Sequence, residues 1–259
     1  MALHLVALHG FVGSGADFDA LQDGYGASSG PPLDWTTPDL PGHGGNLPPY
    51  AAAYTVPAMA GSVAAHLRSL TDPAVLLGYS MGGRVALRVA LDWPGLLAGL
   101  VLIGAHPGID DELQRAARAA EDTARAARIR EIGAPAFCEE WSRVPLIATQ
   151  RRAPEPFRSA MAARRATNDT LGLALAAEVG GTGSMEPMGP RLGDLAIPTL
   201  LMVGAHDSKY RALLPDMLAA LPRSEPATIA DAGHAAHLER PAAAAQRLAR
   251  FLRSVTQVG

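Results

Sequence analysis

Short apolar runs alternate with longer stretches of helical periodicity along most of the chain. Runs of strand length lie at 3–8, 35–38, 74–77, 100–103, 199–203 and 226–229. Apolar residues recurring every three or four positions predict helices at 56–70, 82–91, 210–220 and 241–254. This alternation predicts βαβ units around a mostly parallel sheet. The strands are apolar enough to be buried on both faces.

One stretch breaks the alternation. Residues 106–189 are rich in Ala and Arg, helical in character, and carry no good strand. Pro107, Pro135, Pro145, Pro154 and Pro156 are expected to divide them into short helices. The expected organisation is a core of residues 1–105 and 190–259, with residues 106–189 inserted as a helical cap. The first strand leaves no room for a leading hairpin, so a sheet short on that edge is expected; Leu3 to Leu8 is too short for the apolar core of a secretory leader and runs straight into a motif, so no leader is expected.

Composition narrows the function. The 259 residues are 48% hydrophobic and 18% charged, as in a soluble globular protein. A formal net charge of −3 gives no reason to expect nucleic acid or an anionic membrane as partner. Cys138 is the sole cysteine, so no internal disulfide can form and a reducing compartment, the cytoplasm, is expected. No His, Cys or carboxylate cluster has metal-ligand spacing, so neither metal nor cofactor is expected. The sequence does not fix the oligomeric state; a monomer is favoured.

Candidate chemistry lies at the strand ends. Gly78-Tyr79-Ser80-Met81-Gly82-Gly83 follows the run at 74–77 and precedes a predicted helix. A sharp strand–turn–helix lifts a serine hydroxyl above the sheet, and small flanking residues keep the turn free of clashes. His9-Gly10-Phe11 follows the first strand. The Phe11 and Met81 amides are the expected oxyanion donors. Asp39-Leu40-Pro41-Gly42-His43-Gly44 reads as a tight structural turn.

Asp207 follows the run at 199–203, and His234 follows the run at 226–229. In that order Ser80, Asp207 and His234 suit a triad: His234 as base, Asp207 fixing its tautomer. His237, three residues on, is the fallback base, and Asp231 stands too close to His234 in the chain to replace Asp207.

With these residues in hand, the chain resembles the 2-succinyl-6-hydroxy-2,4-cyclohexadiene-1-carboxylate synthases of menaquinone biosynthesis, within the α/β-hydrolase superfamily. The elbow and the Asp39 to Gly45 segment carry the likeness. So do Gly104-Ala105-His106-Pro107-Gly108, Gly204-Ala205-His206-Asp207-Ser208-Lys209-Tyr210 and Ala232-Gly233-His234-Ala235-Ala236-His237. The His-Pro-Gly step and the Asp-x-Lys-Tyr step are the discriminating ones. The resemblance implies an α/β-hydrolase fold with a mostly parallel sheet flanked by helices. It implies a lyase that eliminates pyruvate from 2-succinyl-5-enolpyruvyl-6-hydroxy-3-cyclohexene-1-carboxylate, a small polycarboxylate, with the triad serine as base. It further implies Tyr79, Arg84, Arg118, Trp141 and Arg165 as substrate-binding residues, Arg165 being chosen over Arg164 by counting back from Gly172. Ser142, Asn168 and Met185 depart from the family pattern around the cap.

Plainer readings stand beside these. Asp111/Arg115, Arg118/Asp122 and Glu121/Arg125 are four residues apart, as on a solvated, ion-paired helix face. Lys209 reads as a structural neighbour of Asp207. A carboxylesterase or a carbon–carbon bond hydrolase would use the same triad, and the fold also hosts non-catalytic binding modules.

Overall fold

The computed structural model describes residues 2–256. Its centre is a six-stranded, all-parallel sheet of β1 (Leu3–Leu8), β2 (Leu33–Thr36), β3 (Ala74–Tyr79), β4 (Leu97–Ile103), β5 (Thr199–Gly204) and β6 (Ser224–Ile229). The order is β2-β1-β3-β4-β5-β6. The predicted strands are all present. The second begins two residues earlier than its pattern suggested, because its register is set by pairing Leu3 with Leu33 rather than by local hydrophobicity.

The sheet is buried on both faces because successive side chains point opposite ways. Val6, Leu8, Leu76, Leu100 and Leu102 face one hydrophobic core. It is completed by α2 (Val56–Arg68), α3 (Met81–Asp92) and α8 (Ser208–Ala220). Leu5, Ala7, Val75, Leu77, Val101 and Ile103 face the other, completed by α1 (Asp19–Gly26) and α10 (Pro241–Thr256). Helix starts are capped from the sequence: the Thr55 hydroxyl accepts from the Ala58 amide at 3.4 Å, and Pro57 sits in the first turn of α2, where no backbone partner is lost.

Between β4 and β5 lie α4 (Glu112–Ser142), α5 (Pro145–Ala148), α6 (Phe157–Arg165) and α7 (Thr170–Glu178), with no strand. The proline-divided short helices expected here are only partly found. The stretch Glu112–Ser142 is two helices meeting at a break at Gly133, whose φ of 79° and ψ of 156° are not helical, so the chain divides two residues before Pro135. Pro135 falls in the first turn after the break, where its missing N–H costs little, and the Ala134 amide donates to the Thr170 hydroxyl at 3.0 Å. A third apolar cluster, including Ala126, Ile129, Phe137 and Leu173, joins α4 to α7. The short α9 (Ala236–Glu239) follows β6. Among the described residues, no helix is long and apolar enough to cross a membrane.

Candidate active site

Every sheet connection that carries candidate chemistry leaves from the carboxyl ends of the strands, the usual place for a site in an open parallel sheet. Ser80 sits between β3 and α3 with φ 51° and ψ −108°, a strained conformation for a side-chain-bearing residue. Its amide donates to the Ile103 carbonyl at 2.9 Å, anchoring the turn to β4. Gly82 is required by close approach: a Cβ there would lie 2.2 Å from the Leu8 carbonyl oxygen.

Ser80, His234 and Asp207 come together across 154 and 27 residues of sequence. His234 Nε2 lies 3.1 Å from Ser80 Oγ, and Nδ1 lies 2.7 Å from Asp207 Oδ2. Asp207 and His234 are each 2% exposed, so the pair is shielded from water. The other Asp207 oxygen accepts from the Tyr210 amide at 3.1 Å and caps α8. The Tyr210 ring lies 4.7 Å from that of His234. Behind His234 is Tyr79, whose ring is 5.2 Å from it, and beyond that His237, 4.6 Å from Tyr79. His237 is fully buried with both ring nitrogens unpartnered among the described residues, and burial pushes it down to about 3. It does not reach Ser80's cavity and cannot compete with His234.

Two buried imidazoles hold the loop after β1. His9 accepts from the Leu40 amide at 2.9 Å, and its Nδ1 faces the Gly10 carbonyl at 2.8 Å. His43 accepts from the Val12 amide at 3.1 Å, and its Nδ1 faces the Pro41 carbonyl at 3.1 Å. Burial lowers both; for His43 burial, and then His9, push it down to about 3. Each ring is therefore neutral, donating from one nitrogen and accepting at the other. His43 is structural, as its turn context suggested. The Gly82 amide donates to the His9 carbonyl at 3.0 Å, tying this loop to the elbow. Among the described residues, the Phe11 and Met81 amides have no hydrogen-bond acceptor, and both residues line the cavity beside Ser80.

That cavity, of about 340 Å³, is lined by Ser80, His234, Trp141 and Tyr210 together with four cationic side chains: Arg84, Arg118, Arg125 and Lys209. The single carboxylate is Asp122, which is fully buried. It accepts from Arg118 Nε at 2.8 Å, from Arg125, and from the Gly183 amide at 3.0 Å. The solvated ion-paired face expected of α4 is thus corrected at this position: Asp122 points inward and gathers two arginines toward the cavity. Arg84 donates to the Gly180 carbonyl at 3.0 Å, and burial lowers its guanidinium to about 10, still cationic at neutral pH. Burial, then Arg118, lowers the Lys209 ammonium. Arg125 stacks 5.2 Å above the Trp141 ring.

Two of the expected substrate contacts are elsewhere. Arg165 does not line this cavity; it turns to the buried Asp17, 3.7 Å away, which also accepts from Arg164 at 3.1 Å. A buried carboxylate recruits both arginines, so counting along the sequence does not bring either to Ser80. Tyr79 lies beneath the cavity rather than in its wall; its hydroxyl accepts from Gln150 at 3.1 Å, and burial raises its phenol above the ordinary range. Tyr210 and Arg125 also line the cavity, outside the residues that the sequence singles out for the site. Tyr210 was readable from its place three residues after Asp207, in the first turn of a helix. Arg125 has no signal of its own until Asp122 is known to face inward.

The fold and the sequence are shared with known proteins. Residues 5–247 match the model of the alpha/beta hydrolase family. The chain is 32% identical over 253 residues to the 2-succinyl-6-hydroxy-2,4-cyclohexadiene-1-carboxylate synthase of Salmonella newport (strain SL254), covering 96% of this chain and 93% of that one. Its structure is similar to that of MenH from S. aureus, with TM-score 0.91, 27% identity, and 98% and 94% of the two chains covered. A malate-bound thermophilic esterase from Thermogutta terrifontis gives TM-score 0.81 at 28% identity, covering 98% and 91%. The chain belongs to the alpha/beta hydrolase family, on the branch of the 2-succinyl-6-hydroxy-2,4-cyclohexadiene-1-carboxylate synthases.

Proposed function

We propose that this enzyme is a carbon–oxygen lyase that eliminates pyruvate from 2-succinyl-5-enolpyruvyl-6-hydroxy-3-cyclohexene-1-carboxylate, with Ser80, His234 and Asp207 as its catalytic triad. The observation that carries the reading is the charge of the cavity at Ser80. Four cations face it, and its one carboxylate is already held by two of them. A polycarboxylate needs such a wall, whereas a neutral ester would leave buried charges unmatched. The shared branch with the synthases supports the same conclusion.

In this reading Arg84, Arg118, Arg125 and Lys209 bind the carboxylates, and Trp141 packs against the ring. Ser80 Oγ takes the ring proton next to the succinyl ketone while His234 Nε2 takes the hydroxyl proton from Oγ. The released electron pair moves into the ring, the existing double bond shifts, and the ring C–O bond to the enolpyruvyl group breaks. The imidazolium returns its proton to the departing enolate, which becomes pyruvate. No water is consumed and no acyl enzyme forms. The Phe11 and Met81 amides donate to the ketone oxygen as charge develops there. Asp207 holds Nδ1–H and offsets the imidazolium charge. Residues 106–189 act as a cap on the core of residues 1–105 and 190–259, contributing Arg118, Arg125 and Trp141. The protein works in the cytoplasm.

A hydrolase is the second reading, favoured by the likeness to the Thermogutta esterase. Pyruvate release and hydrolysis of a short-chain nitrophenyl ester, measured for wild type and Ser80→Ala, separate the two. Rapid pyruvate release lost in the variant, with slow ester turnover, is expected. Fast ester hydrolysis without pyruvate would overturn the proposal.

A further inference from the structure

Glu239 is 1% exposed and has no cationic partner among the described residues. An isolated buried carboxylate is costly unless its oxygens are hydrogen-bonded. This one is fully engaged. Oε2 accepts from the Gly233 amide at 2.7 Å. Oε1 accepts from the Ala235 amide at 3.3 Å and from the Thr149 hydroxyl at 2.8 Å. The two amides belong to the residues immediately before and after His234. One rigid, planar group therefore brackets the backbone of His234 from both sides. Thr149, in the turn Thr149–Arg152 of the inserted helical segment, fixes the rotation of that group.

From this geometry we infer that Glu239 is a positioning residue for the base, setting the backbone from which the His234 ring reaches Ser80 and Asp207. The inference rests on the reading of His234 as the base. The chemistry explains why a carboxylate stands there. Three donors converge on two oxygens, and only an ionised carboxyl group offers acceptors on both sides without a competing donor. A glutamine would turn an N–H toward one of the bracketing amides and lose that bond. Other bonds hold the loop further out: the His206 amide donates to the Ala232 carbonyl at 2.8 Å, and the Leu238 and Glu239 amides donate to the Ala235 carbonyl, so Glu239 holds the two amides that flank His234 itself. Glu239 touches neither the cavity nor the triad side chains, so its effect passes through the loop alone.

The test uses the full-length protein as Glu239→Gln and Glu239→Ala, with His234→Ala alongside. Pyruvate release is measured as separate kcat and KM. The low-field proton resonance of the His234 Nδ1–H is recorded in each folded variant. Displacements of the base well under an ångström matter to rate, so kcat is expected to fall roughly tenfold in Glu239→Gln and roughly a hundredfold in Glu239→Ala. KM should stay within twofold, because the cationic wall is untouched, and the resonance should move or broaden. A purely structural role would lower thermal stability while leaving the kcat of the folded fraction and the resonance at wild-type values; that result would overturn the inference. Should Glu239→Ala not fold, Glu239→Gln decides alone. Wild-type turnover in His234→Ala would instead overturn the assignment of the base, whatever Glu239 does.

Discussion

Gly104, the first residue past the end of β4, offers a sharp test of how tightly the base is held. Its φ is +53°, and a Cβ placed on it would lie 2.8 Å from both Cε1 and Nδ1 of His234. Ordinary contact begins near 3.4 Å, so in Gly104→Ala the ring must retreat by about 0.6 Å or the strand end must shift. The ring has little freedom to retreat. Its Nδ1 is 2.7 Å from Asp207, its Nε2 is 3.1 Å from Ser80, and Tyr210 and Tyr79 lie beside it. Two separate penalties follow. The left-handed backbone conformation costs alanine about 1–2 kcal/mol. For a chain of this size that lowers Tm by roughly 2–8 °C. The displaced ring costs rate: an ångström of misplacement is worth on the order of 100-fold, so kcat should fall roughly tenfold or more. Differential scanning calorimetry and steady-state pyruvate release read the two effects independently. A variant that loses stability but keeps kcat within twofold of wild type would refute the claim that the ring is wedged against this backbone.

Two further predictions rest on charge. Arg118→Ala should raise KM for the polycarboxylate by roughly 10- to 100-fold, the value of a charge-assisted hydrogen bond, while leaving turnover of a neutral nitrophenyl ester unchanged within twofold; equal effects on both substrates would argue that Arg118 only supports the fold. His43, His106 and His237 are each pushed down to about 3, chiefly by burial. They stay neutral in the folded chain while the unfolded chain binds protons below about pH 6.5, so stability is lost as pH falls from 6.5 toward 3. The slope is about 1.4 kcal/mol per pH unit for each imidazole well below 6.5. Urea unfolding midpoints at pH 7 and pH 5 should show the decline, and an unchanged midpoint would mean that these rings take up protons in the folded state.

The sequence was most legible where function depends on local chain order. Ser80, Asp207 and His234 stand one, three and five residues past the ends of β3, β5 and β6, so the strands point to the residues, and the structure brings the three together at hydrogen-bonding distance. The same holds for Phe11 and Met81, which are placed by their neighbours. Legibility failed where a side chain answers to a distant charge. Arg165 and Arg118 look alike in an Ala/Arg-rich stretch, yet Asp17 turns one away from Ser80 and Asp122 turns the other toward it. Asp17 precedes Arg165 by nearly 150 residues, and no periodicity links them. Helix α1 has no clear periodic signal because Asp, Gly and Tyr dominate Asp19–Gly26, and packing against α10 rather than propensity stabilises it. The break at Gly133 lies two residues before Pro135, where the proline predicts a helix boundary.

The two oxygens of Asp207 have separate employments: one accepts the Tyr210 amide in the first turn of α8, the other meets His234. The direction in which the acid points is therefore inherited from the way a helix begins. Anyone transplanting these three side chains onto another scaffold would have to carry the opening turn of α8 with them, since a carboxylate placed on a bare loop would lack the fixed rotamer that the helix imposes. The same dual employment blurs the usual reading of a point mutant here, because any residue put in place of Asp207 alters a folding signal and a chemical group in one stroke.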